Sequence, residues 1–183
     1  MINQGIMDTL KIYADAYSIP LDIIVAIVKV ESNEHIYAYR SEPHYRYLVD
    51  VKTQKPFRRL TTSENTSEVA AKDFPYFGRI SSRNTEWWGQ QASWGPMQIM
   101  GAVAREYGFE GAFPELCTWT KGIMYSCEHL QKLKHRFLGK HGWAGVIAAY
   151  NAGSPRYVDN GDFENQHYVD KVREHGGFEF MVD

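Results

Sequence analysis

Nowhere does this 183-residue chain hold the roughly 20 consecutive apolar residues of a membrane-spanning helix, so no membrane insertion is expected. Its first residues, MINQGIMDTLK, show neither a basic n-region nor an apolar h-region, and no signal peptide is expected. Cysteine is scarce: only Cys117 and Cys127 are present, with no CxxC and no HExxH pattern. This excludes the common zinc-finger, redox and metalloprotease layouts. The two cysteines are either a disulfide, if the backbone brings their Cα atoms within about 7 Å, or two small buried thiols. His35 and His44 lack a third ligand at sensible spacing, so neither a metal nor any other cofactor is expected. Net charge is also nearly absent, −2 in all, which argues against nucleic acid or an anionic membrane as partner. The local exception, 132-KLKHRFLGKH-141, reads as a solvated helix face, with a contact to an anionic polymer as the alternative. Internal repeats and linker-like stretches are lacking too, so the chain is expected to be one domain over 1–183.

What is present suits a globular fold. Apolar residues make up 44% and charged residues 23%, ordinary for such a domain, and the length suffices to bury about 70% of the unfolded surface. Aromatic residues are plentiful, with five Trp, twelve Tyr and nine Phe; such rings fill cores and also line ligand grooves. Ile6, Leu10, Tyr13 and Tyr17 recur at helical spacing. Ser18 then stands as a candidate N-cap and Pro20 as an early residue of the next helix, about 20–32. That helix is apolar nearly all round, the mark of a central element.

Residues 33–94 carry no sustained helical period. The piece 45-YRYLVDV-51 alternates as a strand would, and 61-TTSENTSEVAAKD-73 reads as a surface loop or short helix. Helical signals return with Pro96, which is expected to open a helix through Tyr107 that stops at Gly108. Another helix, capped by Thr118 or Thr120, carries Ile123, Cys127, Leu130, Leu133 and Phe137 and ends near Gly139. The segment 143-WAGVIAAYNA-152 predicts a short apolar helix closed by Gly153 and Pro155, and a last helix carries Tyr168, Val169 and Val172. The expected fold class is therefore mainly α, one domain with a small β or irregular insert at about 33–94.

Glu31 is the anomaly. It follows IIVAIVKV and shares a helix face with Ile24, Ile27 and Val28, so its carboxyl points inward. A charge there is costly unless paired or hydrogen-bonded. Either a buried Arg partners it, or an apolar wall favours its protonated form, as a proton donor requires. In 94-WGPMQIM-100, Gly95 permits close backbone approach and the Gln98 amide can donate and accept, as sugar hydroxyls and acetamido groups demand. In 149-AYNAGSP-155, Tyr150 and Asn151 sit among small residues at a helix end.

Taken in order, Glu31-Ser32, Gly95-Pro96-Met97-Gln98 and Ala149-Tyr150-Asn151-Ala152-Gly153 resemble the lytic transglycosylases, the SLT-like branch of the lysozyme superfamily. The closing 168-YVDKV-172 resembles that family's late Tyr-Val helix. The likeness covers about 1–32 and 94–175. Two departures stand out: the connection over 33–94 is long, and 40-RSEPHYRYL-48 resembles a segment of phage-type muramidases. Together they point to a bacteriophage or prophage wall-degrading enzyme, made in the cytoplasm and acting on the wall after release or within a virion.

The resemblance implies a lysozyme-like fold, a monomer acting on peptidoglycan glycan strands, and Glu31 as general acid. Ser32, Met97, Gln98, Tyr150 and Asn151 become candidate substrate contacts, although the Ser32 hydroxyl could equally close its own helix. A lytic transglycosylase needs one carboxylate and yields 1,6-anhydromuramic ends, whereas a hydrolytic muramidase usually needs a second acid about 5 to 9.5 Å away. Glu42 and Glu86 are the candidates for that second acid. Asp50 reads as a turn residue, and the plain alternative for Glu42, next to Arg40, Pro43 and His44, is an ion pair that holds the insert onto the core. A wall-binding or phage tail protein without turnover is a third reading, disfavoured by the intact motifs.

Overall fold

The computed structural model describes residues 2–177. In chain order the elements are α1 (Gln4–Tyr17), α2 (Leu21–Ser32), β1 (Tyr39–Ser41), β2 (Val49–Asp50), β3 (Lys55–Pro56), α3 (Arg83–Gln90), β4 (Ala92–Trp94), β5 (Ile99–Met100), α4 (Gly101–Glu106), α5 (Lys121–Ala152) and α6 (Gln166–Val172). The architecture is mainly α with a few short strands, as the sequence implies. The described residues divide into two compact units: those up to Glu34 together with those from Ser126 onward, and His35–Tyr125.

In the first unit, the Asn3 side chain starts α1 by accepting from the Ile6 N–H at 3.0 Å. Ser18, expected to cap the following helix, instead closes α1 in the left-handed region at φ 53. The reason is a double hydrogen bond: Ile19 N–H donates to Ala14 O and Ser18 N–H to Asp15 O. This is the six-to-one and five-to-two pairing of a Schellman end, with buried Ile19 as its apolar partner. Pro20 then precedes α2. Ile23, Ile24, Ala26, Ile27 and Val28 of α2 are buried, each worth about 1.5–3 kcal/mol against exposure for the larger chains. α2 packs on α1, on α6 and on the closing turn Arg173–Gly177.

The α5 segment is broken at Gly142, where φ 59 and ψ −172 leave the helical region. The expected stop near Gly139 thus comes three residues later, and the short helix ending at Ala152 is present. Gly153 at φ 78 ends it, its N–H donating to Ala149 O at 2.7 Å.

The second unit has an antiparallel sheet in the order β1-β4-β5 and a β2-β3 hairpin, so the strand expected within 45–51 is confined to Val49–Asp50. Two corrections fall here. Residues 83–90, unassigned in the sequence, form α3; the Ser82 side chain caps it by accepting from Thr85 N–H at 3.1 Å, and eight residues are too few for periodicity to reveal. Pro96 opens no helix: residues 95–98 form a tight turn into β5, and α4 begins only at Gly101. Gly95 sits at φ 75, where a Cβ would lie 2.1 Å from Leu116 O, so the turn needs glycine both for its conformation and for its close packing.

Two apolar clusters hold this unit, one around Leu48, Leu60, Phe74 and Trp87, the other around Ile99, Phe109, Phe113 and Leu116. Gln90 ties the β2-β3 hairpin to α3, its amide donating to Val49 O and accepting from Val49 N–H. At the surface Arg58 bridges Glu64 and Asp73; this guanidinium holds the Glu64 carboxyl down at about 2. Cys117 and Cys127 are free and buried, the thiol alternative of the two. Burial raises both thiols, Cys127 to about 12, so neither is a thiolate at neutral pH.

Candidate active site in the first unit

Glu31 lies half-buried in the last turn of α2. Its Oε1 accepts a hydrogen bond of 2.5 Å from the Tyr168 hydroxyl of α6. Burial first, and then the neighbouring Glu31 charge, push the Tyr168 phenol well above its usual range. The tyrosine is therefore a permanent donor, and a short bond to a carboxylate is of the strong, charge-assisted kind. Such a bond fixes the carboxyl rotamer.

Ser32 is buried and its hydroxyl donates to Val28 O at 3.1 Å, closing its own helix. Asn33 and Glu34 follow at φ 48 and φ 68, two successive left-handed residues without a glycine. Each such residue costs of order 1 kcal/mol, less for Asn. The turn is held by Asn33 N–H on Lys29 O and by Glu34 Oε2, which accepts from Ile2 N–H at 2.7 Å.

Tyr150, half-buried, lies near enough to Tyr168 to add to the rise of its phenol. Its ring centroid is 5.6 Å from that of His129, an imidazole that burial pushes down to about 4, with Lys132 contributing. The histidine is thus neutral at physiological pH. Asn151 is exposed and its Oδ1 accepts from Asn165 Nδ2 at 2.9 Å; the same nitrogen donates to Ala148 O at 3.0 Å. Asn165 in this way secures the helix end that carries Tyr150 and Asn151.

The remaining expected residues belong to the second unit. Met97 is wholly buried beneath the turn. Gln98, at φ 51, spends its amide on the turn's neighbours: Nε2 donates to Ala38 O at 3.0 Å and Gly95 O at 2.9 Å, and Oε1 accepts from Ser93 Oγ at 2.9 Å. Glu42 is on the surface, paired to Arg40 at 2.5 Å. Asp50 accepts from Lys52 N–H as a turn residue. Glu86 is wholly buried and receives two bonds from Arg105, at 2.8 and 3.0 Å, one from Gln90 at 3.1 Å and one from Ser81 at 3.3 Å. No group of three or more His, Cys, Asp or Glu side chains among the described residues is placed to hold a metal ion.

The structure therefore brings Glu31, Ser32, Tyr150 and Asn151 together in one unit and adds Tyr168, Asn165 and His129, for which no role had been read from the sequence. The late Tyr-Val pattern was the one available signal for Tyr168. A half-buried carboxyl with a phenol donor on one oxygen is a group able to give and take a proton.

The family comparison agrees. The model of the transglycosylase SLT domain matches residues 8–167, and the chain belongs to that family: it is a peptidoglycan-cleaving enzyme with a lysozyme-like fold. No curated protein and no solved structure gives a significant match.

Proposed function

We propose that the enzyme is a lytic transglycosylase whose single catalytic acid and base is Glu31. The protonated carboxyl gives its proton to the glycosidic oxygen between N-acetylmuramic acid and N-acetylglucosamine. The C1–O bond breaks, the N-acetylglucosamine side leaves with a free hydroxyl, and positive charge develops at C1 and the ring oxygen. The carboxylate then takes the proton of the muramic acid's own C6 hydroxyl, O6 bonds to C1, and a 1,6-anhydro ring closes while Glu31 regains its proton. Water does not enter. Tyr168 keeps the carboxyl aimed and stabilises its charge while the sugar cation lasts; Tyr150 and Asn151 offer polar contacts to the strand, and Met97 and Gln98 act by shaping the 95–98 turn.

The observation that carries this reading is the fate of the carboxylates a hydrolase would need. Glu86 is sealed beneath the surface by Arg105, and Glu42 faces solvent with its own arginine, so both serve as ion-pair partners. A single carboxylate with a fixed phenol is what intramolecular attack by O6 requires. Mass spectrometry of the muropeptides released from purified peptidoglycan tests it. Anhydromuramic ends are expected; reducing muramic ends would instead establish the hydrolytic muramidase.

Tyr168→Phe removes the donor and keeps the ring. Losing one hydrogen bond to a charged group, worth about 1.5–3 kcal/mol, is expected to lower kcat about 10- to 100-fold with KM little changed. Steady-state kinetics on soluble glycan strands measure this, and a kcat within twofold of the parent would remove Tyr168 from the mechanism.

A further inference from the structure

The second unit holds a half-open cavity of about 610 Å³, within the size range of small-ligand sites. Its wall is aromatic. Tyr39 stacks on Trp94 at 5.6 Å and 19°, and Trp94 on Phe113 at 5.7 Å and 14°. The Trp94 indole is locked by its N–H on Gly89 O at 2.9 Å, so the stack is preorganised. Trp88 borders the same space and is 40% exposed, while Tyr39 is 68% exposed. Large rings left this open call for a ligand rather than a packing explanation.

Charge narrows the choice. Among the described residues Arg105 is the one charged side chain on the wall. It is 2% exposed and committed to Glu86 and to the carbonyls of Phe109 and Gly111. An acidic peptide or an anionic lipid would therefore find no available cation. What the wall does offer is ring faces, with hydroxyl and amide groups at the edge, among them Asn84, whose Oδ1 is used by Ala70 N–H. A neutral ring with an apolar face and a polar rim is the matching shape. The cavity also adjoins the 95–98 turn: Trp94 precedes that turn, and Tyr39 follows Ala38, whose carbonyl holds both Gly95 and Gln98.

We propose that this cavity is a saccharide subsite that packs an N-acetylhexosamine unit of the glycan strand against Trp88 and Tyr39. The proposal rests on peptidoglycan being the substrate, and it adds a contact point separate from Glu31. It also assigns a task to the long 33–94 segment, which supplies every ring named here except Phe113.

The test uses the full chain carrying Glu31→Gln, so that the probe is not consumed. A tetramer of N-acetylglucosamine is titrated in while the indole N–H resonances are followed by NMR, Trp88 being assigned from its loss in Trp88→Phe. A saturable shift of the Trp88 signal is expected. In the same background Trp88→Ala should weaken co-sedimentation with purified peptidoglycan about tenfold, as a lost ring contact implies, and Trp88→Phe should retain most of it. An unmoved thermal midpoint shows that the variants fold, as befits an exposed ring. A Trp88 signal that never moves, or one that answers only to an acidic tetrapeptide, overturns the proposal, as does unchanged sedimentation of Trp88→Ala. Muropeptide release by the parent enzyme, run alongside, judges the substrate reading separately: release with a silent Trp88 overturns the subsite alone.

Discussion

Glu31→Gln is expected to reduce muropeptide release from purified peptidoglycan by about 10³-fold or more. Proton transfer by one positioned group typically contributes 10²- to 10⁴-fold, and in the proposed mechanism a single carboxyl serves twice, as acid for the leaving sugar and as base for the C6 hydroxyl. The substitution is nearly isosteric, and its amide oxygen can still accept from Tyr168. The fold should therefore survive, with a thermal midpoint close to the parent's. That pairing of a lost rate with an intact fold separates a working acid from a structural one. Were Glu31 only an acceptor for the Tyr168 hydroxyl, the glutamine amide oxygen would take its place, and the fold and the rate would both hold. Activity retained within tenfold would place the acid elsewhere.

The second large effect lies in Glu86 and Arg105. Both side chains are buried, at 0% and 1% exposure, and they hold each other through two hydrogen bonds while the guanidinium also lies 4.2 Å from the Phe113 ring centre. Removing one partner of such a pair leaves an uncompensated charge in a low-dielectric interior, at a cost of about 3–5 kcal/mol. Arg105→Met and Glu86→Gln are each expected to lower the thermal midpoint by roughly 10 °C. The double variant should lose less than the sum of the two, by about 1–3 kcal/mol, because it strands no charge. Calorimetric unfolding of the four proteins measures the cycle. For Glu86→Gln, activity should follow the folded fraction. A stable variant without activity would instead revive Glu86 as a second acid and, with it, the hydrolytic reading.

Local signals made much of the first unit legible. An apolar run ending in a carboxylate made α2 a central helix with Glu31 on its inward face, because burial of five apolar side chains leaves that face no other orientation. The apolar segment ending at Ala152 was equally plain. In the second unit, local preference misled. Pro96 is a favourable first helical residue, yet pairing of Trp94 with Tyr39 and of Trp94 with Ile99 draws the chain into a strand-turn-strand instead. Strand partners 55 residues apart (94 − 39) leave no periodic trace in a window of a dozen. Ser18 failed in the same manner: a serine before Pro20 suits an N-cap, but two backbone hydrogen bonds at the end of α1 claimed it first.

By itself, then, the sequence determined the fold class, the buried helix that ends in Glu31, and the three ordered motifs that suggested the family. Those follow from short-range spacing and from residue types that hydrophobic burial constrains strongly. The tertiary structure alone decided which groups serve Glu31 and which carboxylates are occupied elsewhere. Tyr168 stands 137 residues from Glu31, and Arg105 stands 19 from Glu86. Hydrogen bonds over such separations depend on how whole elements pack, and no pattern within a single helix or strand encodes them.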